Sequence, residues 1–230
     1  MPSVNRRAWL SAAGVALVGG GLEAARASAQ TATAKVASVP GAKAKRTPRE
    51  RIRDRNLPNL LLTTHEGKQV RFYDDLVKDK IVLINMMYAE CQGICPGISA
   101  NLAKVYKKFG KRMGRDIMMI SITLRPERDT PQALKHYAGM HKAGPGWVFL
   151  TGKPDDIELL RRRLGFVDPD PEVDKDKTTH IGNIRFGNEA LMLWGACPGQ
   201  TKPESIAISI LEAVDWPKPE PAAKRKGGKG

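Results

Sequence analysis

The chain has 230 residues and a formal charge of +14, an excess that invites a nucleic-acid reading. Its distribution excludes that class: residues 1–29 carry +2, residues 30–57 carry +6 and residues 216–230 carry +4, leaving only +2 on residues 58–215. The basic excess therefore lies in two arms rather than on a folded body, while the 158 central residues suffice for one domain with a sizeable core.

Residues 1–29 read as a twin-arginine signal peptide. Asn5-Arg6-Arg7-Ala8-Trp9-Leu10 precedes a small-residue apolar stretch from Ser11 to Leu22 and a cleavage-type Ala27-Ser28-Ala29. The stretch is shorter than the roughly 20 residues a spanning helix needs, so export with cleavage is expected, and with it a periplasmic location where disulfides are allowed. Residues 30–57 and 216–230, rich in Ala, Lys, Arg, Pro or Gly, read as a basic flexible linker and tail. These arms could touch anionic headgroups in a weak membrane-surface contact, meet acidic partners, or simply solubilise the chain.

Within 58–215, Asn59–Thr63 and Lys68–Phe72 are predicted as short strands joined through Gly67, with a helical turn over Asp74–Val77. Lys80–Tyr88 is apolar nearly throughout and reads as a central strand covered on both faces. Ser99–Met113 has Leu102, Val105, Tyr106 and Phe109 on one side and lysines largely opposite, the spacing of an amphipathic helix. Ile117–Thr123 is a second buried strand. Thr130-Pro131 starts a helix running to about Ala143, and Asp129 and Thr130 read as caps. Trp147–Thr151 is a strand, Pro154–Leu164 a helix stopped by Gly165, and 167–178 a polar loop. His180–Phe186 and Ala190–Trp194 suggest a hairpin turning at Gly187-Asn188, and Glu204–Val214 a closing helix. Strands alternating with helices predict an α/β layered sheet with helices on both faces.

Cys91 and Cys95 sit where the central strand should give way to a helix. On a first helical turn, positions four apart share a face, so the two sulfurs could hold one metal ion or close a disulfide. The free amides and positive dipole end there favour thiolate, the form that does both. Buried packing is the ordinary role of a free cysteine, but Gln92-Gly93-Ile94 and Pro96-Gly97 make a poor core segment. His180 is a structural histidine or a ligand; with two thiolates it would complete a Cys₂His set suited to copper, or to zinc with one position open. Cys197, in Gly195-Ala-Cys-Pro-Gly199, reads as a loop cysteine without special role, with a resolving or auxiliary ligand role as the alternative. His65, His136 and His141 read as surface residues.

The combination of Cys91-Gln-Gly-Ile-Cys95-Pro96 after one buried strand, Arg125-Pro-Glu-Arg-Asp-Thr-Pro131 after the next, and the distant His180 resembles the Sco/SenC family of copper-binding, thioredoxin-like proteins. The resemblance spans roughly residues 58–215 and implies a thioredoxin-like fold. It also implies that Cys91, Cys95 and His180 bind one copper ion, and that the partner is the copper-site subunit of cytochrome oxidase or another copper protein. The chain differs from the family's usual pattern at Gln92, where Pro is customary, and at Arg125, where an acidic residue is. The rival expectation is a thiol–disulfide oxidoreductase in which Cys91 attacks and Cys95 resolves. Its usual motif has two intervening residues rather than three.

Overall fold

A computed structural model describes residues 46–176 and 182–214, all within the unit Lys45–Gly230. The expected signal peptide, most of the linker, the tail and His180 lie outside these residues. The elements are α1 (Pro48–Asn56), β1 (Leu61–Thr64), β2 (Gln69–Arg71), a π-helical turn (Phe72–Val77), β3 (Ile81–Met87), α2 (Cys95–Phe109), β4 (Ile117–Thr123), α3 (Pro131–Met140), β5 (Trp147–Thr151), α4 (Pro154–Arg163), α5 (Pro171–Lys175), β6 (Asn183–Asn188), β7 (Leu193–Pro198) and α6 (Pro203–Val214). One mixed seven-stranded sheet runs in the order β2-β1-β5-β4-β3-β6-β7.

β3 and β4 pair in parallel, as do β4 and β5, which requires crossover helices; β6 returns antiparallel to β3. Every residue of β3 and β4 is buried, so both faces at the sheet centre are covered, as their continuous apolar runs predict. One polar relay crosses this core: the Trp147 indole donates to Ser121 Oγ at 3.0 Å, and Ser121 donates to Asn85 Oδ1 at 2.8 Å. Each buried polar group thereby gains a partner.

Four local expectations are corrected. The end of the stretch expected to be a flexible linker is helical: Thr47 and Glu50 form a reciprocal capping box, Pro48 occupies the first turn, and Leu57 is buried just beyond. The helix is tied down by Arg49, whose Nη2 lies 2.7 Å from Glu189 Oε2. The polar loop after α4 contains the short helix α5, capped by Asp170. The hairpin does not turn at Gly187-Asn188. β6 continues through both, because the Trp194 ring lies on Gly187 so closely that a Cβ there would meet it at 2.2 Å, and the chain turns over 189–192 instead. Cys197 consequently lies in β7 opposite Ile184, not in a loop.

Candidate metal centre

The parallel β3 ends at Met87, and its chain leaves the sheet at the end where loops of a parallel α/β sheet gather. Residues 88–94 form the connection, and α2 begins at Cys95. Only Cys95 is helical, with Pro96 following it in the first turn; Cys91 stands in the preceding loop. The expectation that both cysteines share a helical face is therefore replaced by a loop that folds Cys91 back onto the helix start. Both are reduced and buried, with exposures of 6% and 1%.

The sulfurs are in hydrogen-bond contact and unequal. Burial works against the Cys91 thiolate, but the Cys95 thiol, the Cys95 and Gly93 amides and the Tyr88 hydroxyl together hold its pKa below the ordinary thiol value. Burial, reinforced by the bond to Cys91, pushes Cys95 up to about 12. Tyr88 is likewise pushed up to about 12, chiefly by burial and then by its bond to Cys91. The arrangement is one thiolate held by several donors, with a protonated thiol beside it.

The β4–α3 loop braces this turn. Asp129, 2% exposed, accepts the Ala89 amide at 3.1 Å and the Thr123 hydroxyl. Thr130 caps α3 by accepting from the Ala133 amide at 3.2 Å, so of the two expected caps only Thr130 is one. The Arg125 guanidinium lies 4.2 Å from the centre of the Tyr88 ring, and Arg128 reaches Glu90 at 2.7 Å. The exposed ion pair adds little energy but, with the other contacts, fixes consecutive residues ahead of Cys91. Beneath Cys95, Ser99 and Tyr137 join their hydroxyls at 2.9 Å.

The β6 and β7 ends approach the same place. Gly182 accepts the Gly199 amide at 2.8 Å, and a Cβ at Gly182 would stand 2.7 Å from Cδ1 of Ile94, the residue before Cys95. Asn101 of α2 donates to the carbonyls of Gly199 and Thr201, both at 3.0 Å. Among the described residues no group of three or more His, Cys, Asp and Glu side chains could hold a metal. The two sulfurs are brought together, and His180 lies outside those residues. Cys197 is half-buried, and burial raises its thiol pKa.

Sequence reading missed Tyr88, Gly182 and the bracing role of Asp129. A signal for Asp129 was available: in Asp129-Thr130-Pro131, two adjacent capping residues precede one helix, and only one can cap it. Asp129→Ala should leave the Ala89 amide and Thr123 hydroxyl without their acceptor, costing about 1–3 kcal/mol in denaturant unfolding. With Cys91 and Cys95 as candidate ligands, the same variant should weaken metal retention by roughly 10–100-fold, the usual cost of losing a residue that supports a ligand. Retention equal to the parent protein would mean that Asp129 does not set the cysteine turn.

The SCO1/SenC family profile matches residues 53–215. The chain belongs to the SCO1/SenC family. A SCO1 protein homolog of Bacillus subtilis is 32% identical over 88 residues, 38% of this chain and 44% of that protein. The chain spans less than two thirds of the length of the curated relatives it matches. The Bradyrhizobium japonicum ScoI structure with copper bound has a TM-score of 0.54 and 26% identity, covering 67% of this chain and 96% of that one. BsSco, from a structure described as a disulfide switch in a member of the Sco family of cytochrome c oxidase assembly proteins, has a TM-score of 0.54 and 23% identity, covering 67% and 90%. The α/β fold is thioredoxin-like, as expected.

Proposed function

We propose that this SCO1/SenC protein is a periplasmic copper chaperone that holds one copper ion with Cys91, Cys95 and His180 and delivers it to a respiratory oxidase. The observation that carries this reading is the contact between the two buried sulfurs at the start of α2, a soft donor pair suited to copper. Covalent geometry supports the third ligand. Two peptide links allow at most about 7.6 Å between the Cα atoms of residues 180 and 182, and Gly182 packs on Ile94 beside Cys95.

Within this reading Cys91 enters as thiolate, Cys95 loses its proton on metal binding, and the imidazole completes the set. Transfer proceeds by ligand exchange, each donor of the recipient taking the place of one donor here. The copper-bound ScoI and the oxidase-assembly description of BsSco favour a copper-site subunit of cytochrome oxidase as recipient, or another copper protein. The periplasmic location rests on the twin-arginine segment. No helix among the described residues is long and apolar enough to cross a membrane.

The inequality of the sulfurs favours a second reading, thiol–disulfide exchange. Here the Cys91 thiolate attacks a partner disulfide and expels one partner thiolate. Cys95 then loses its proton and attacks the mixed disulfide, expelling the second thiolate and leaving Cys91 joined to Cys95. His180→Ala separates the readings. Copper retention against a competing chelator should fall while disulfide reduction proceeds at the parental rate, because exchange needs only the sulfurs. Unchanged retention with lost reductase activity would reverse the order of the two readings.

A further inference from the structure

Away from the cysteines, α1, the end of α4 and the β6–β7 ribbon line an open cavity of about 300 Å³. Ile52, Leu57, Leu164 and Trp194 give it apolar walls, and Arg163 and Arg185 are its charged residues. Arg163 donates to the Arg55 carbonyl at 3.1 Å and Arg185 to the Gly165 carbonyl at 2.8 Å. Neither has a carboxylate partner among the described residues. Moreover, Arg185 Nε is buried and has no acceptor among the described residues. A buried charged donor without an acceptor is costly, and the two guanidinium groups leave the pocket with positive charge that no carboxylate among the described residues balances.

The cavity opens beside β7, whose Trp194, Gly195 and Ala196 contribute to its wall. Among the described residues β7 is the last strand of the sheet, pairing only with β6. From Leu193 to Pro198 it carries no charged side chain, and Leu193 and Trp194 are 38% exposed. An uncharged, open edge of six residues is a template for an added strand, which soluble proteins ordinarily blunt with charge or cover. Pro198 limits pairing only at one end. Beyond Pro198, Gly199 bonds Gly182 against Ile94, so the edge runs from the arginine pocket to the cysteine end of the molecule.

We propose that the β7 edge and this pocket together bind an extended segment of a partner protein, in which an acidic residue neighbours an apolar or aromatic one. The segment's backbone pairs with β7, its apolar side chain fills the cavity against Trp194, and its carboxylate pairs with the Arg163 and Arg185 guanidinium groups. Charge decides the occupant's sign. The pocket holds two guanidinium groups, and α1 beside it adds Arg51 and Arg55, so a basic segment is repelled. That the partner is the copper recipient rests on the copper-delivery reading; the binding surface itself does not.

A phage-displayed library of random twelve-residue peptides, selected against the full mature chain, tests this. Enriched peptides should carry an acidic residue next to an apolar one and bind Arg185→Met roughly ten- to hundredfold more weakly. Ala196→Glu changes an exposed position opposite Arg185, places a carboxylate beside its guanidinium from within, and should abolish binding while leaving the fold intact. Bound peptide should slow amide exchange over 193–197. The Cys91→Ser/Cys95→Ser chain should bind the peptides as the parent does, so a failed copper reading leaves this test unaffected. No enrichment, peptides without acidic residues, or equal binding by Ala196→Glu would overturn the proposal. So would a gain in affinity on deleting 215–230, which would make the chain's own tail the occupant, or dimerisation through β7, which would make it a second copy.

Discussion

Cys91→Ser and Cys95→Ser proteins should each lose copper retention by well over roughly 100-fold, beyond what losing a supporting residue costs. A serine hydroxyl does not ionise near neutral pH and is a hard donor where copper needs a soft one. The two variants should differ in the thiol that remains. In Cys95→Ser, Cys91 loses the thiol that donates to it but keeps the amides of residues 93 and 95 and the Tyr88 hydroxyl, so it stays the more reactive sulfur. In Cys91→Ser, Cys95 remains buried and slow to react. Alkylation rates measured beside chelator competition check both statements. Retention within threefold of the parent in either variant would remove that cysteine from the ligand set.

The second large effect is on stability. Glu189 is fully buried and accepts from Arg49 Nη2 at 2.7 Å, the Tyr73 hydroxyl at 2.8 Å and the Asp79 amide at 2.9 Å. Asp79 has φ +58°, a left-handed conformation disfavoured for a side chain, and Glu189 holds its amide there. Glu189→Ala leaves the Tyr73 hydroxyl and Asp79 amide without their acceptor, should cost about 2–5 kcal/mol, lowering Tm by roughly 4–20 °C, and should release α1 to rapid amide exchange. Burial opposes ionisation of Glu189, but the Asp79 amide, Arg49 and Tyr73 hold its pKa below the ordinary 4.5. A depressed carboxyl stabilises the fold fully above its ordinary value, and that contribution is lost as pH falls below about 4.5 through the folded value. Tm measured across that window should fall more steeply for the parent than for Glu189→Gln. Parallel curves would contradict the ionised state of this residue.

What the sequence made legible follows from how local each cause is. β4 and β5 begin and end where their apolar runs do, and α3 starts at Thr130-Pro131 because cap and proline act within one turn. The hairpin was displaced by partners far along the chain. Gly187 with Asn188 looks like a turn, yet the requirement came from Trp194 lying on Gly187 and from Glu189 being captured by residues 49, 73 and 79. α1 was hidden for the same reason: its nine residues lack an apolar face, and its anchor is Glu189, 140 positions away. At the proposed metal centre, Cys91 and Cys95 were visible as a pair four apart. The inequality between them was not, because it arises from the Tyr88 hydroxyl, two loop amides and burial, none of which spacing encodes.

The central claim is most directly tested by titrating copper into the mature protein in two states, fully reduced and with a confirmed Cys91–Cys95 disulfide. The reduced chain should take up one copper per molecule and hold it against a competing chelator. The oxidised chain should hold none, since the disulfide consumes both sulfurs. Undiminished copper binding by the oxidised protein would contradict the account.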